Sequence, residues 1–126
     1  MTDTVGSFLS QIKNAYMAKH TQVEARSSNF STALGQVLKK TGYVKNIEKT
    51  EAGKLKIELI YKNKLPALTG MKRFSLPGRR YYLNLKELRK AHQGIGHLIV
   101  STPMGLMTQK EAVKNKTGGE VICKVW

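Results

Sequence analysis

Only eight acidic residues stand against 22 lysines and arginines in this 126-residue chain, which leaves a formal net charge of +14. A chain so poor in acids repels itself unless a polyanion neutralises it. Nucleic acid is therefore the first class of partner implied, and an anionic membrane surface the second. Cysteine is nearly absent: Cys123 is alone and cannot close an intramolecular disulfide. Its setting in Gly-Glu-Val-Ile-Cys-Lys-Val-Trp reads as a strand, and the thiol as a small apolar core group. The three histidines, His20, His92 and His97, show no ligand spacing, so no metal site is expected. No apolar run approaches the roughly 18 residues needed to span a bilayer. The N-terminal segment also lacks the charged and apolar regions of a signal peptide. The expectation is a soluble, cytoplasmic protein with no membrane partner, no internal repeat and no low-complexity tract.

What is present suffices for a folded domain. Hydrophobic residues make up 40% of the chain, and 126 residues fit one compact domain or two small lobes. Val5, Phe8, Leu9, Ile12, Ala15 and Tyr16 recur at helical spacing, with Asp3 as a plausible cap. A second stripe, Phe30, Ala33, Leu34, Val37 and Leu38, starts after Ser27-Ser28 and stops at Gly42, as helix-end chemistry requires. Strands are expected over 43–49 and 54–61, joined by a turn at Ala52-Gly53; Leu55, Ile57 and Leu59 alternate with polar residues, giving a hairpin with one wet face. Residues 62–68, with Pro66 and flanking lysines, mark a candidate boundary between an N-terminal lobe, 1–68, and a C-terminal lobe, 69–126. Further strands are expected before Pro77-Gly78 and over 80–83, then a short helix over about 85–92, interrupted at Gly94 and Gly96. A strand over 97–102 leads to a turn at Pro103 to Gly105, where proline suits the second position and glycine the fourth. Thr108-Gln109-Lys110-Glu111 is a capping box that opens a short helix, Gly118-Gly119 ends it, and 120–125 is a final strand. Helices and strands mix without a repeating strand-helix-strand unit, so the class is α+β: N-terminal helices with a hairpin sheet, and a β-rich C-terminal lobe of mixed topology.

The charge is spread over both halves: eleven basic against five acidic residues in 1–68, and eleven against three beyond. Its densest stretch runs from Lys62 to Lys90 and holds Lys72, Arg73, Arg79, Arg80 and Arg89 among Tyr61, Phe74, Tyr81 and Tyr82, with Glu87 the only acid. Cations that grip phosphates beside rings that stack on bases are what RNA recognition needs. Taken singly, a tyrosine there reads sooner as core and a lysine as a solvated face; the stretch as a whole, given the net charge, favours RNA. The segment Ser101 to Thr108 is the sharpest motif. A turn ending a strand can present the two hydroxyls of Ser101 and Thr102 and its backbone amides to phosphates, riboses and base edges. The same residues also make an ordinary turn followed by a helix cap, the reading they favour when taken alone. Catalysis has little support. No nucleophile sits in an elbow or beside a base, Gly94-Ile95-Gly96 lacks the third glycine of a dinucleotide loop, and Glu48 and Glu51 flank a turn instead of forming an acid/base pair. No enzyme activity and no cofactor are expected.

Several separated motifs together resemble the S-eight family of bacterial small-subunit ribosomal proteins. They are Gly96-His97-Leu98-Ile99-Val100-Ser101-Thr102-Pro103-Met104-Gly105-Leu106-Met107-Thr108, then Ala112 and Gly118-Gly119-Glu120-Val121-Ile122-Cys123. Ile12-Lys13-Asn14, Val37-Leu38-Lys39 before Gly42-Tyr43, and Pro77-Gly78 followed by Arg80 and Tyr82 fall in the same order. The resemblance implies a two-lobed structural constituent of the small subunit that binds the central domain of its ribosomal RNA. It also implies neighbouring ribosomal proteins as partners and, in some members, the messenger RNA of the protein's own operon. Carried over by position, Ser101, Thr102, Pro103, Gly105, Gly119, Glu120, Tyr82 and Arg80 form the main RNA surface, with Lys13 and Asn14 as an N-terminal contact. Glu120, an acid facing RNA, is expected either to accept hydrogen bonds from base amines or ribose hydroxyls or to orient nearby donors. The chain departs from the family pattern at Pro103-Met104, where Ser-Lys is common, at Leu76, where arginine usually precedes Pro-Gly, and at Asn29 and Ser31, positions often held by lysine.

Overall fold

The computed structural model describes residues 4–91 and 94–126, so Asp3 as a cap and the helix end at His92 lie outside the described residues. The chain divides into two compact units, Met1–Thr69 and Gly70–Trp126.

In the first unit, α1 (Thr4–Met17), β1 (Gln22–Arg26), α2 (Asn29–Lys40), β2 (Asn46–Lys49) and β3 (Lys54–Glu58) precede a small hairpin of β4 (Tyr61–Lys62) and β5 (Leu65–Pro66). The sheet order is β1-β3-β2, all antiparallel. Phe8, Leu9, Ile12, Ala15 and Tyr16 of α1 are buried, as are Leu34, Val37 and Leu38 of α2. Both helical stripes therefore do what their spacing predicts. A Cβ placed on Gly35 of α2 would sit 3.0 Å from Ile47 of β2 and 3.7 Å from Phe8 of α1, so helices and sheet meet at this point.

The ends of α2 show why it stops where it does. Ser28 accepts from the Ser31 amide at 3.0 Å while Ser31 Oγ accepts from the Ser28 amide at 2.9 Å, a capping box with serine in the usual glutamate position. At the other end the Tyr43 amide donates to Leu38 O and the Gly42 amide to Lys39 O, the paired bonds of a Schellman motif. Gly42 takes φ of +89°, which any other residue would adopt only under strain. This motif holds Tyr43, and the Val44 amide also turns back to Leu38 O, so β2 begins at Asn46, three residues later than the alternation indicated, with the Lys45 amide leading in through its bond to Glu58 O. β3 likewise ends at Glu58, and Tyr61 opens the separate β4–β5 hairpin through Asn63 and Lys64, both at positive φ. β1 carried no clear signal: Ala25 is its one buried residue, yet it pairs with β3 along its whole length.

The second unit comprises β6 (Met71–Arg73), β7 (Tyr82–Leu83), α3 (Leu85–Ala91), β8 (His97–Thr102), β9 (Gly105–Thr108), α4 (Gln109–Lys114) and β10 (Gly119–Val125). β10 is central. It pairs antiparallel with β6 and β7 along one edge and with β8 along the other, and β9 flanks β8. Leu98 and Val100 of β8, Met107 of β9 and Val121 of β10 pack with Leu88 of α3 and Ala112 of α4 into one core. The capping box at Thr108 and Glu111 opens α4 as its sequence indicates. A matching pair that sequence reading did not single out, Asn84 with Glu87, opens α3. The tyrosine-containing strand is shorter than expected because Ser75, fully buried, holds the Tyr81 backbone through its hydroxyl.

Cys123 is fully buried in β10. Burial pushes its thiol up to about 12, with the positive charge of Arg73 opposing in part. Burial also raises the hydroxyls of Tyr16 and Tyr43. A thiol neutral in the fold but ionising near 9.0 once released gives stability that is complete below pH 9 and lost as pH climbs toward 12. Urea denaturation at pH 8, 9 and 10 should show unfolding free energy falling above pH 9 by on the order of 1 kcal/mol per pH unit. Cys123→Ala should make that decline shallower; an unchanged slope would show that the thiol does not titrate with unfolding.

Candidate nucleic-acid interface

Three residues far apart in sequence become neighbours through strand register. Glu120 on β10 lies directly opposite Tyr82 of β7 on one side and Ser101 of β8 on the other. Residues directly opposite in antiparallel pairs project from the same sheet face, so Tyr82, Glu120 and Ser101 form a row across three strands. Tyr82 is 66% exposed. The Tyr82 hydroxyl and Ser101 Oγ take no hydrogen bond from the described residues, and of the Glu120 carboxylate only Oε2 is engaged, by Arg80 Nη1 at 3.2 Å. The row lines an open concavity of about 620 Å³, bordered also by Asn84, Thr102, Pro103 and Gly119.

The Gly118-Gly119 pair makes the row possible. A Cβ on Gly119 would stand 2.3 Å from the Ser101 carbonyl oxygen, and one on Gly118 2.5 Å from that of Leu83. Both contacts are with backbone, which cannot swing aside, so β10 enters between β7 and β8 only because these residues lack side chains. The doublet read in sequence as a helix terminator is thus a close-approach device as well.

The hairpin from Ser101 to Thr108 differs from its expected form. Thr102 is buried, and its hydroxyl donates to Gly105 O at 2.8 Å and accepts from the Met104 amide at 3.1 Å. It closes the turn instead of pointing outward, so Ser101 alone of the two hydroxyls faces the concavity unpaired. Pro103, Met104 and Gly105 are exposed at the tip, with Met104 61% exposed. Thr108 is buried and committed to its capping box.

Arg80, half-exposed at 50% of its side chain, meets Glu120. Leu76 and Arg79 form a tight bridge with two backbone hydrogen bonds, placing Pro77 and Gly78 at an exposed tip. Among residues 70–126 all three acids have local duties: the carboxylates of Glu87 and Glu111 accept from the amides of Asn84 and Thr108 at helix starts, and Glu120 pairs with Arg80. Exposed Lys72, Arg79, Lys86, Arg89, Lys90, Lys110, Lys114 and Lys116 supply the positive field of this unit. In the first unit Lys13 and Asn14 are both exposed on α1. Ser31, at a position often held by lysine in the family pattern, is fully buried and locked into the α2 cap, so it has no place in a surface; Asn29 is exposed.

The described residues contain no group of three or more potential metal ligands, and no helix among them is long and apolar enough to cross a membrane. Comparison with known proteins converges on one family. A family model described as ribosomal protein S8 matches residues 3–126. The chain is 42% identical over 130 aligned positions to small ribosomal subunit protein uS8 of Desulforamulus reducens, covering 100% of this chain and 98% of that one. It is 44% identical, with the same coverage, to the uS8 protein of Lactobacillus delbrueckii subsp. bulgaricus. It is 39% identical to the uS8c protein of Tupiella akineta, covering 98% of each.

Gly119→Ala should force β8 and β10 apart at the Ser101 carbonyl. The expected cost is about 2–3 kcal/mol of unfolding free energy by chemical denaturation. A loss below about 0.5 kcal/mol would mean that the close approach does not constrain the sheet.

Proposed function

Because the chain belongs to the ribosomal protein S8 family, we propose that it is a non-enzymatic constituent of the small ribosomal subunit that holds the central domain of small-subunit ribosomal RNA through the row Tyr82, Glu120 and Ser101. The observation that carries this reading is the row itself: three adjacent side chains with unengaged polar atoms, lining a concavity on a unit whose exposed charged side chains are, Glu87 apart, all cations. An A-form RNA helix offers proteins a wide, shallow minor groove lined with ribose hydroxyls and base edges, and an open sheet row suits such a surface better than a deep pocket would. The surrounding lysines and arginines supply the sequence-independent phosphate attraction, while the row supplies recognition of groove edges.

The other candidate residues divide by role. Ser101 is a direct donor and acceptor, Tyr82 stacks or donates through its hydroxyl, and Pro103 and Gly105 shape the exposed tip against the groove. Thr102 acts by holding that tip, and Gly119 by admitting β10. Lys13 and Asn14 provide an N-terminal backbone contact from α1. Other small-subunit proteins are partners on this reading, with the protein ribosome-bound in the cytoplasm.

Tyr82→Ala and Ser101→Ala, titrated against an irregular stem from the central domain, should each weaken binding by about five- to tenfold, the loss of one useful hydrogen bond or stacking contact. Melting temperatures should stay at the wild-type value, since Tyr82 is exposed and Ser101 loses only an unpaired hydroxyl. Wild-type affinity in both variants would reject this surface. Adding the leader and intergenic RNA of the protein's own operon to the same titration tests the regulatory extension: competition with the ribosomal stem supports repression of its own message, and no competition rejects it.

A further inference from the structure

A carboxylate in the middle of an RNA-binding row needs a physical account. It repels phosphate and can only accept hydrogen bonds. Glu120 is nevertheless centred between Tyr82 and Ser101, with its side chain 16% exposed and lining the concavity. Its Oε2 meets Arg80 Nη1 at 3.2 Å, and its Oε1 takes no hydrogen bond from the described residues. Arg80 follows the tight Leu76–Arg79 bridge, immediately before the Tyr81 backbone that Ser75 holds and that accepts from the Val121 amide at 2.9 Å. The backbone carrying Arg80 is therefore tied both to its own loop and to β10.

We propose that Arg80 is a positioning residue: it fixes and neutralises the Glu120 carboxylate so that Oε1 accepts a hydrogen bond from a donor on the minor-groove face of RNA, and the row thereby selects for donors over phosphate. The inference rests on the RNA-binding reading of the row. Two groups on that groove face supply the donor chemistry, the ribose 2′-hydroxyl and the guanine 2-amino group. A carboxylate held by one cation presents its second oxygen in a fixed direction, and the pair has no net charge to repel the backbone. Without Arg80 the carboxylate would rotate toward solvent and oppose the polyanion. Without Glu120 the arginine would become one more phosphate-seeking cation, attractive to any duplex.

The test uses the full chain and four ligands: the central-domain stem, its form with 2′-deoxyribose along the contacted strand, its form with inosine in place of guanosine, and a regular RNA duplex of equal length. If wild-type protein fails to prefer the stem over the regular duplex, the functional reading itself fails, and the role of Arg80 does not arise. Given that preference, wild type should lose about tenfold in affinity on one of the two substituted stems, which identifies the donor. Arg80→Gln and Glu120→Gln should each reduce that discrimination to less than twofold. The double variant should be no worse than the weaker single, and Arg80→Lys, which keeps a cation near Oε2, should retain the discrimination. Matching thermal melts exclude a folding defect, as expected for a half-exposed arginine. If Arg80→Gln instead weakens all four ligands equally and leaves discrimination intact, with effects additive to Glu120→Gln, Arg80 is a phosphate contact and the proposal is wrong.

Discussion

The C-terminal unit depends on a gap too narrow for a side chain. β10 reaches the centre of its sheet by passing the Leu83 and Ser101 carbonyls at Gly118 and Gly119, where any Cβ would collide with backbone at 2.3–2.5 Å. That single approach sets the strand register at this end of the sheet. It aligns Val121 with Val100, and so with Met107 across β9, placing all three in the core with α3 and α4. One residue earlier it aligns Glu120 with Tyr82 and Ser101. Because successive residues of a strand face opposite sides, the register that builds the core also builds the row. The core and the exposed row are tied to the same two glycines.

Charge acts at a second level. A chain with net +14 holds few acids, and in residues 70–126 those few are assigned to local tasks. Two tie down helix starts at α3 and α4, and the third is held by Arg80. Capping a helix satisfies amides that would otherwise lack partners, so these acids sit where a basic protein most needs them, and the remaining cations stay available to a polyanion. A positive long-range field of this kind favours polyanions of any sequence. On the proposed reading, short-range chemistry at the row separates one groove from another, and the hydrogen-bonding groups there are neutral or internally balanced.

Features legible in the sequence were those written locally. The α2 stripe with its serine cap and Gly42 stop, the Thr108 box, β8 and the buried Cys123 each rest on residues within a few positions of one another, and the structure has them where their spacing placed them. Features that depend on partners distant in the chain were not legible. β1 looks too polar to be a strand until β3 pairs with it. The Tyr82, Glu120 and Ser101 row exists only through sheet register, although resemblance to a family had already named all three. The outward hydroxyl pair at Ser101 and Thr102 was half right in geometry: Thr102 turns inward because the hairpin tip has two backbone groups, Gly105 O and the Met104 amide, that its hydroxyl can satisfy. Ser31 shows a different limit: its partners Ser28 and Arg26 lie within five residues, but a serine in the usual glutamate position of a capping box gives a weaker local signal than Glu111 does.

The central claim is that the Tyr82, Glu120 and Ser101 row is the surface that touches ribosomal RNA. Replacing Tyr82 by a photo-reactive phenylalanine analogue in growing cells, irradiating, and mapping the crosslinked nucleotides tests it directly, with the same analogue at exposed Lys54 of β3 as the control. The account predicts crosslinks from position 82 concentrated on one irregular stem in the central domain of small-subunit ribosomal RNA, and none there from position 54. Crosslinks from position 82 to protein alone, or scattered over unrelated transcripts, would contradict it.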